Sequence, residues 1–150
     1  MLVTIYTTSS CSSCRKAKKW MEKHQIPYRE INLFVKELKK EELINILKRT
    51  DNGLEDIVSK RSKVISECSD DFDSFTFNDA IEFLTKNPSA MKRPILIDDI
   101  HFQIGYNEDE IRAFIPKEMR KRFCESCSNK KECPIHKSKE IDLNESTNNL

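Results

Sequence analysis

Two hydrophobic periods alternate along the first part of the chain. Residues 2–6 form a short, apolar, β-branched run, which predicts a buried strand. Residues 7–10 then offer hydroxyl groups for an N-cap. Apolar positions recur at helical spacing after them, at Ala17, Trp20, Met21 and His24. We expect Pro27 to end this helix and the alternating residues 28–33 to form a second strand.

Two further helices are predicted in the middle of the chain. The first contains Leu43, Ile44 and Leu47, and Gly53 is expected to follow its C-terminus as the residue with positive φ. The second ends before Pro88, and its predicted core stripe consists of Phe77, Ala80, Ile81 and Leu84.

The pattern then returns to strands. Residues 95–97 predict a third strand, and residues 101–105 predict its antiparallel partner across a turn at Asp98 and Asp99. Asn107 is expected to cap a last helix that carries Ile111, Phe114 and Ile115. The order of elements indicates an α/β domain with a mixed sheet. It is the outline of a thioredoxin-like fold with a helical region inserted before the third strand.

Composition and charge divide the chain after Pro116. Hydrophobic residues make up 37% and charged residues 34% of the 150 residues, which is polar for a single compact domain. Residues 117–139 carry a net charge of +5 and residues 140–150 carry −3, which leaves −1 for residues 1–116. We therefore expect a core domain over 1–116, a basic Cys- and His-containing extension over 117–139 and a disordered acidic tail over 140–150. A net charge of +1 excludes a generic polyanion binder.

The cysteine content bears on the compartment. No stretch approaches the roughly 18 apolar residues of a membrane span, and the first residues lack the pattern of a signal peptide. We expect a cytoplasmic protein without a membrane partner, and in the cytoplasm structural disulfides are rare. The six cysteines are therefore expected to be redox-active, metal-bound or buried. Cys68 is expected to be an unpaired thiol.

Cys11 and Cys14 lie where the first strand gives way to the first helix. The free N–H groups and the positive dipole end of a helix N-terminus stabilise a thiolate, and Arg15 and Lys16 add positive charge. The C-x-x-C spacing brings the two sulfurs within bonding reach, so a disulfide can form and break without large backbone motion. The alternative is half of a zinc site, for which only the distant tail supplies more ligands.

Four blocks of residues 1–116 resemble the Spx family, bacterial regulators within the wider arsenate reductase-like group. The blocks are VTIYTTSSCSSCRKAKKW, RTDNGLEDIVSKRSK, RPILIDD and QIGYNEDEIRAFIP. The resemblance implies a thioredoxin-like fold that contacts the C-terminal domain of the RNA polymerase α subunit and redirects transcription during thiol stress. No cofactor is expected for the core domain.

Several site residues follow from this resemblance. The C-x-x-C is the redox switch of the family. Gly53 matches the glycine that contacts the α subunit in the family. Arg93 matches an arginine near the redox pair; without the resemblance, the sequence predicts only a solvated residue there. Arg61 matches a basic position of the family. The fold also implies a cis peptide bond at Pro94, opposite the cysteines.

Further partners are implied as well. The chain resembles no helix-turn-helix, so promoter DNA is expected to be reached only through the polymerase complex. Basic candidates for that contact are Arg61, Lys63 and residues 117–122, whose alternative is an ordinary solvated face. Members of the family are degraded by a protease with its adaptor that reads the C-terminus.

The enzymatic alternative is an arsenate reductase-like or general thiol–disulfide oxidoreductase. Arsenate reductases of this group carry a histidine four residues before a single nucleophilic cysteine. Here Thr7 stands at the histidine position and Cys14 replaces a serine. A second thiol should capture any covalent intermediate as a disulfide, which favours a regulator. The aromatic residue usual before the motif of general oxidoreductases is absent.

The tail contains a second cluster, with the pattern C-x₂-C-x₅-C-x₂-H. Its members are Cys124, Cys127, Cys133 and His136. Three thiolates and one imidazole make the ligand set of a closed, tetrahedral zinc site. An iron–sulfur cluster is one alternative, and a disordered tail with incidental thiols is the other.

Overall fold

The computed structural model describes residues 2–68 and 72–120. The chain divides into two compact units, Met1–Phe114 and Ile115–Leu150. The strands of the first unit are β1 (Val3–Thr7), β2 (Tyr28–Asn32), β3 (Ile95–Ile97) and β4 (Phe102–Ile104). Its helices are α1 (Ser12–Lys23), α2 (Lys40–Leu47), α3 (Leu54–Ile57), α4 (Lys63–Glu67) and α5 (Phe77–Lys86), with 3₁₀ turns at Pro88–Ala90 and Glu110–Phe114. The description of the second unit ends at Arg120, after a helical turn over residues 117–120.

The four strands form one mixed sheet in the order β2–β1–β3–β4. β1 and β2 are parallel, whereas β3 pairs antiparallel with β1 and with β4. Each predicted strand agrees with the observed one to within a residue at either end. The predicted fold class, a thioredoxin-like α/β domain with helices inserted before the third strand, is confirmed.

Each face of the sheet is covered by a hydrophobic layer. One face contributes Tyr6, Ile31 and Ile95 to a cluster with the buried side chains of α2 and α5. Val3, Ile5 and Leu96 alternate with those positions and so belong to the opposite face. The buried side chains of α1 lie outside the first cluster; they are Cys14, Ala17, Trp20 and Met21. The beginning of α1 is therefore anchored in the core through the second cysteine.

The first helix begins and ends differently from the prediction. Its N-cap is Cys11 itself, not one of the hydroxyls of residues 7–10. Its last residue is Lys23, whereas we expected Pro27 to end it. Gln25 adopts a φ of 54°, and the Ile26 N–H donates to the Met21 carbonyl over 2.9 Å. This left-handed residue turns the chain toward β2 before the proline is reached.

The prediction that Gly53 follows the C-terminus of the helix that contains Leu43 and Leu47, which is α2, is wrong. The N–H of Thr50 and its hydroxyl both donate to the Leu47 carbonyl, so α2 ends without a glycine. Gly53 instead precedes α3 as its N-cap, with φ 64° and ψ −126°. The positive φ was expected correctly, because few residues other than glycine adopt it.

Two smaller corrections concern the later helices. Phe77, predicted in a core stripe, is 54% exposed because it is the first residue of α5, one turn before the buried part of the helix. The last predicted helix is a 3₁₀ turn, although the Asn107 side chain does accept N–H bonds from Asp109 and Glu110. Within residues 2–68 and 72–120, no helix is long and apolar enough to cross a membrane.

Candidate redox site

Cys11 and Cys14 form a disulfide at the start of α1. Their Cα atoms are 5.2 Å apart, within the range that a disulfide spans without backbone movement. The Cys11 sulfur accepts the Cys14 N–H over 3.1 Å, so the first cysteine also caps the helix. Cys14 is 1% exposed, whereas Cys11 is partly exposed. The bond therefore joins a partly exposed residue to one that lies in the core.

The electrostatic surroundings favour a thiolate on Cys11 once the bond opens. The sulfur already receives one N–H of the first helical turn, where the dipole of a 12-residue helix is positive. The first turn contains no acidic residue, and Arg15 and Lys16 are exposed beside it. These groups stabilise the anionic form of the sulfur that is accessible to a reaction partner.

Arg93 ties the loop between β1 and α1 to the segment that precedes β3. Its guanidinium donates to the hydroxyl of the buried Thr8 over 2.8 Å, and the Thr8 carbonyl accepts the Cys11 N–H over 3.3 Å. Burial lowers the pKa of the Arg93 guanidinium, which nevertheless stays charged. The peptide bond between Arg93 and Pro94 is cis, as expected. Arg93 is half-buried in the structure, so the simple interpretation as a solvated residue is wrong.

A second network joins the end of β1 to β2 and α1. The buried Thr7 hydroxyl donates to Glu30 over 2.7 Å, and the Lys18 ammonium lies 3.0 Å from both oxygens of that carboxylate. The hydrogen bond from Thr7 is the largest influence on Glu30 and lowers its pKa, with Lys18 acting in the same direction. Glu30 thereby links the end of β1 to α1.

A third link connects the disulfide loop to the residues after β2. The Asn32 side-chain amide donates to the Ser9 hydroxyl over 3.1 Å, and its carbonyl oxygen accepts the Phe34 N–H over 3.0 Å. The Asn32 backbone carbonyl accepts the N–H groups of Val35 and Lys36. One asparagine thus fixes the path of both segments.

The other predicted site residues lie on separate parts of the fold. Gly53 is partly exposed at the start of α3, and its turn is held by Asp56, which accepts the N–H groups of Asp51 and Asn52. Arg61 is exposed just before α4. Neither residue is joined to the disulfide by a hydrogen bond or ion pair among residues 2–68 and 72–120. Cys68 is a free thiol, as predicted.

The predicted metal ligands of the tail, Cys124, Cys127, Cys133 and His136, lie outside the described residues. The zinc site and its iron–sulfur alternative therefore stay predictions. The same holds for the acidic tail over residues 140–150 and for nearly all of the basic extension.

Three contributors to this site were not identified from the sequence: Thr8, Glu30 and Asn32. The available signal was the parallel pairing of the first two strands, which sets Thr7 opposite Asn32 and Ile5 opposite Glu30. Polar residues at the carboxyl ends of adjacent parallel strands meet at one edge of the sheet. That rule would have indicated the neighbourhood, although not the individual hydrogen bonds.

Comparison with known proteins finds a family model and similar curated proteins that match most of the chain. The ArsC family model matches residues 6–114. A protein named global transcriptional regulator Spx from Listeria innocua is 46% identical over 119 residues, which cover 79% of this chain and 91% of the relative. A protein of the same name from Streptococcus agalactiae is 46% identical over 121 residues, with 81% and 88% covered.

Solved structures agree at the level of the fold. An ArsC family-related protein from Bacteroides fragilis superposes with a TM-score of 0.67 at 22% identity. The match covers 76% of this chain and 98% of that protein.

Proposed function

Since the chain belongs to the ArsC family as a member of its Spx group, we propose that it is a redox-sensing regulator that binds the C-terminal domain of the RNA polymerase α subunit and controls genes of the thiol stress response. The switch is the disulfide between Cys11 and Cys14. The observation that carries the proposal is the place of this disulfide at the N-terminus of α1, where it joins a partly exposed cysteine to a buried one.

The switch works by a change of charge at the surface. In the oxidising step the two thiols lose two hydrogen atoms, for example to the azo group of diamide, which becomes a hydrazine, and the sulfur–sulfur bond forms. In the reducing step two electrons and two protons return, and the Cys11 sulfur can carry a negative charge beside the Cys14 N–H. A partner that rests on the start of α1 therefore meets a neutral disulfide in one state and a thiolate in the other.

Gly53 supplies the proposed contact with the α subunit. A Cβ atom added there meets no heavy atom within 4 Å, so a side chain there would begin in open space. The absence of a side chain lets a partner approach the backbone at the start of α3. Promoter DNA is reached through this complex, because residues 1–116 carry a net charge of −1 and attract no polyanion by themselves.

The Gly53 contact is tested by comparing Gly53→Arg with Gly53→Ala in a pull-down of purified α subunit by the full chain. Both variants strain the backbone at φ 64°, but only arginine adds bulk. We expect alanine to retain binding and arginine to lose it, with similar thermal unfolding of the two proteins by circular dichroism. Retained binding by the arginine variant contradicts a close approach at this position.

A second candidate function is reduction of an oxyanion such as arsenate. The half-buried Arg93 guanidinium and the N-terminus of α1 both border the loop that carries Cys11, and such groups favour an anion. The bonded Cys14 argues against turnover, because it would displace a covalent Cys11 adduct as a disulfide. Arsenate turnover in the presence of glutathione and glutaredoxin distinguishes this enzyme from the regulator.

A further inference from the structure

Two consecutive apolar side chains are exposed directly after β2. Phe34 is 51% exposed and Val35 is 83% exposed. The other large apolar side chains that are exposed within residues 2–68 and 72–120 stand singly; they are Leu2, Phe77 and Ile100. Adjacent exposed apolar groups on a small domain mark a surface for contact with another molecule.

These two residues, which we call the Phe34–Val35 knob, are held next to the disulfide loop. Asn32 accepts the Phe34 N–H with its side chain and the Val35 N–H with its backbone carbonyl, over 3.0 and 3.1 Å. The same side chain donates to the Ser9 hydroxyl over 3.1 Å, two residues before Cys11. The knob is therefore fixed in place before any partner arrives, which reduces the entropic cost of binding.

The disulfide can be attacked from outside at one sulfur. Cys14 is 1% exposed and lies in the core, whereas Cys11 is partly exposed. Ser9 and Ser10, which precede Cys11, are exposed as well. A protein that brings a thiolate to the Cys11 sulfur must cover this loop, and the Asn32 link places the backbone of the knob beside it.

We propose that the Phe34–Val35 knob is the docking surface for a protein dithiol that reduces the Cys11–Cys14 bond. This inference rests on the proposed function and names how its switch is reset. A small hydrophilic thiol gains little from the apolar knob, but a protein with an apolar rim around its reactive cysteine buries both side chains.

The exchange proceeds in two balanced steps. The partner thiolate attacks the Cys11 sulfur, a mixed disulfide forms, and Cys14 leaves as a thiolate that takes a proton from solvent. The second partner thiol then loses its proton and attacks the partner sulfur of the mixed disulfide, which releases Cys11 as a thiolate. The partner is oxidised by two electrons, and the pair in this chain is reduced by two.

The test compares two reductants on the oxidised full chain. Thioredoxin, kept reduced by its reductase and NADPH, serves as the protein dithiol, and dithiothreitol serves as the small one. We expect the double variant Phe34→Ser, Val35→Ser to be reduced roughly tenfold more slowly by thioredoxin and at an unchanged rate by dithiothreitol. The matched control is Ile100→Ser, which removes a 77% exposed apolar side chain from the turn between β3 and β4. Its rates should equal those of the wild type with both reductants.

Two results would overturn the proposal. The first is an unchanged thioredoxin rate in the double variant, which together with a loss of α-subunit binding would assign the knob to the polymerase. The second is an equal slowing by both reductants, which would indicate an altered loop. The single variant Val35→Ser, at the more exposed position, repeats the comparison if the double variant unfolds. Polymerase is absent from the kinetic assay. The thioredoxin rate therefore tests the docking surface even if the proposed binding to the α subunit fails.

Discussion

Replacing Thr8 by valine removes the acceptor that holds the Arg93 guanidinium to the disulfide loop. The hydrogen bond is 2.8 Å long, joins residues 85 positions apart and involves a charged donor. A hydrogen bond to a charged group contributes about 1.5–3 kcal/mol, and the half-buried position of Arg93 lets water replace part of it. We therefore expect Thr8→Val to lower the free energy of unfolding by about 1.5 kcal/mol, which corresponds to roughly 6 °C in Tm for a domain of this size.

Thermal unfolding of the oxidised protein, followed by circular dichroism, measures this effect. Thr8→Ser is the matched control, because it retains the hydroxyl and should lose much less stability. In a double-mutant cycle with Arg93→Met, the coupling energy should account for most of the loss caused by Thr8→Val. A coupling energy near zero, or equal Tm values for the valine and serine variants, would refute a stabilising contact between Thr8 and Arg93.

Three other predictions address the cysteines, acid stability and the tail. After diamide treatment of cells, mass spectrometry should find a loss of two hydrogens on the peptide that contains Cys11 and Cys14; a dithiol there, with other cysteines oxidised, contradicts the switch. Burial raises the pKa of Asp98, but hydrogen bonds from His101 and Ile100 outweigh burial and lower the pKa overall. The ionised Asp98 therefore stabilises the fold above about pH 4, and this contribution is lost as the pH falls through the folded-state pKa. Asp98→Asn should flatten the acid limb of a urea-denaturation series, and an unchanged limb counts against this assignment. Full-length protein purified without chelator should hold about one equivalent of zinc, and the double variant Cys124→Ser, Cys127→Ser should hold none. Reduced wild-type protein that cannot be loaded with zinc would rule out the tail site.

The strands and the redox pair could be predicted because their signals are local. Short apolar runs marked β1 and β3, alternating residues marked β2, and a turn marked the start of β4, each to within one residue. The C-x-x-C lay between a strand and a helical period, which is enough to predict a helix N-terminus beside the first cysteine. The turn from β3 to β4 was visible in the Asp98–Asp99 pair.

The parts that were missed depend on contacts between distant residues. No local pattern distinguishes a solvated Arg93 from one that donates to Thr8 across 85 positions. The links from Ser9 to Asn32 and from Thr7 to Glu30 arise when two parallel strands are brought into register. Gly53 was misplaced for a different reason. A glycine six residues after one helix and one before the next fits either end, and only the hydrogen bonds of Thr50 show which.

The most direct test of the redox switch measures the affinity of the full chain for the polymerase α subunit in glutathione buffers of increasing oxidised fraction. Mass spectrometry of the same samples gives the fraction of the Cys11–Cys14 pair that is a disulfide. We predict that the affinity changes along the same curve as the disulfide fraction. Cys11→Ala and Cys14→Ala should each abolish that dependence. An affinity that stays constant while the disulfide forms, or one that still varies in both alanine variants, would contradict the account.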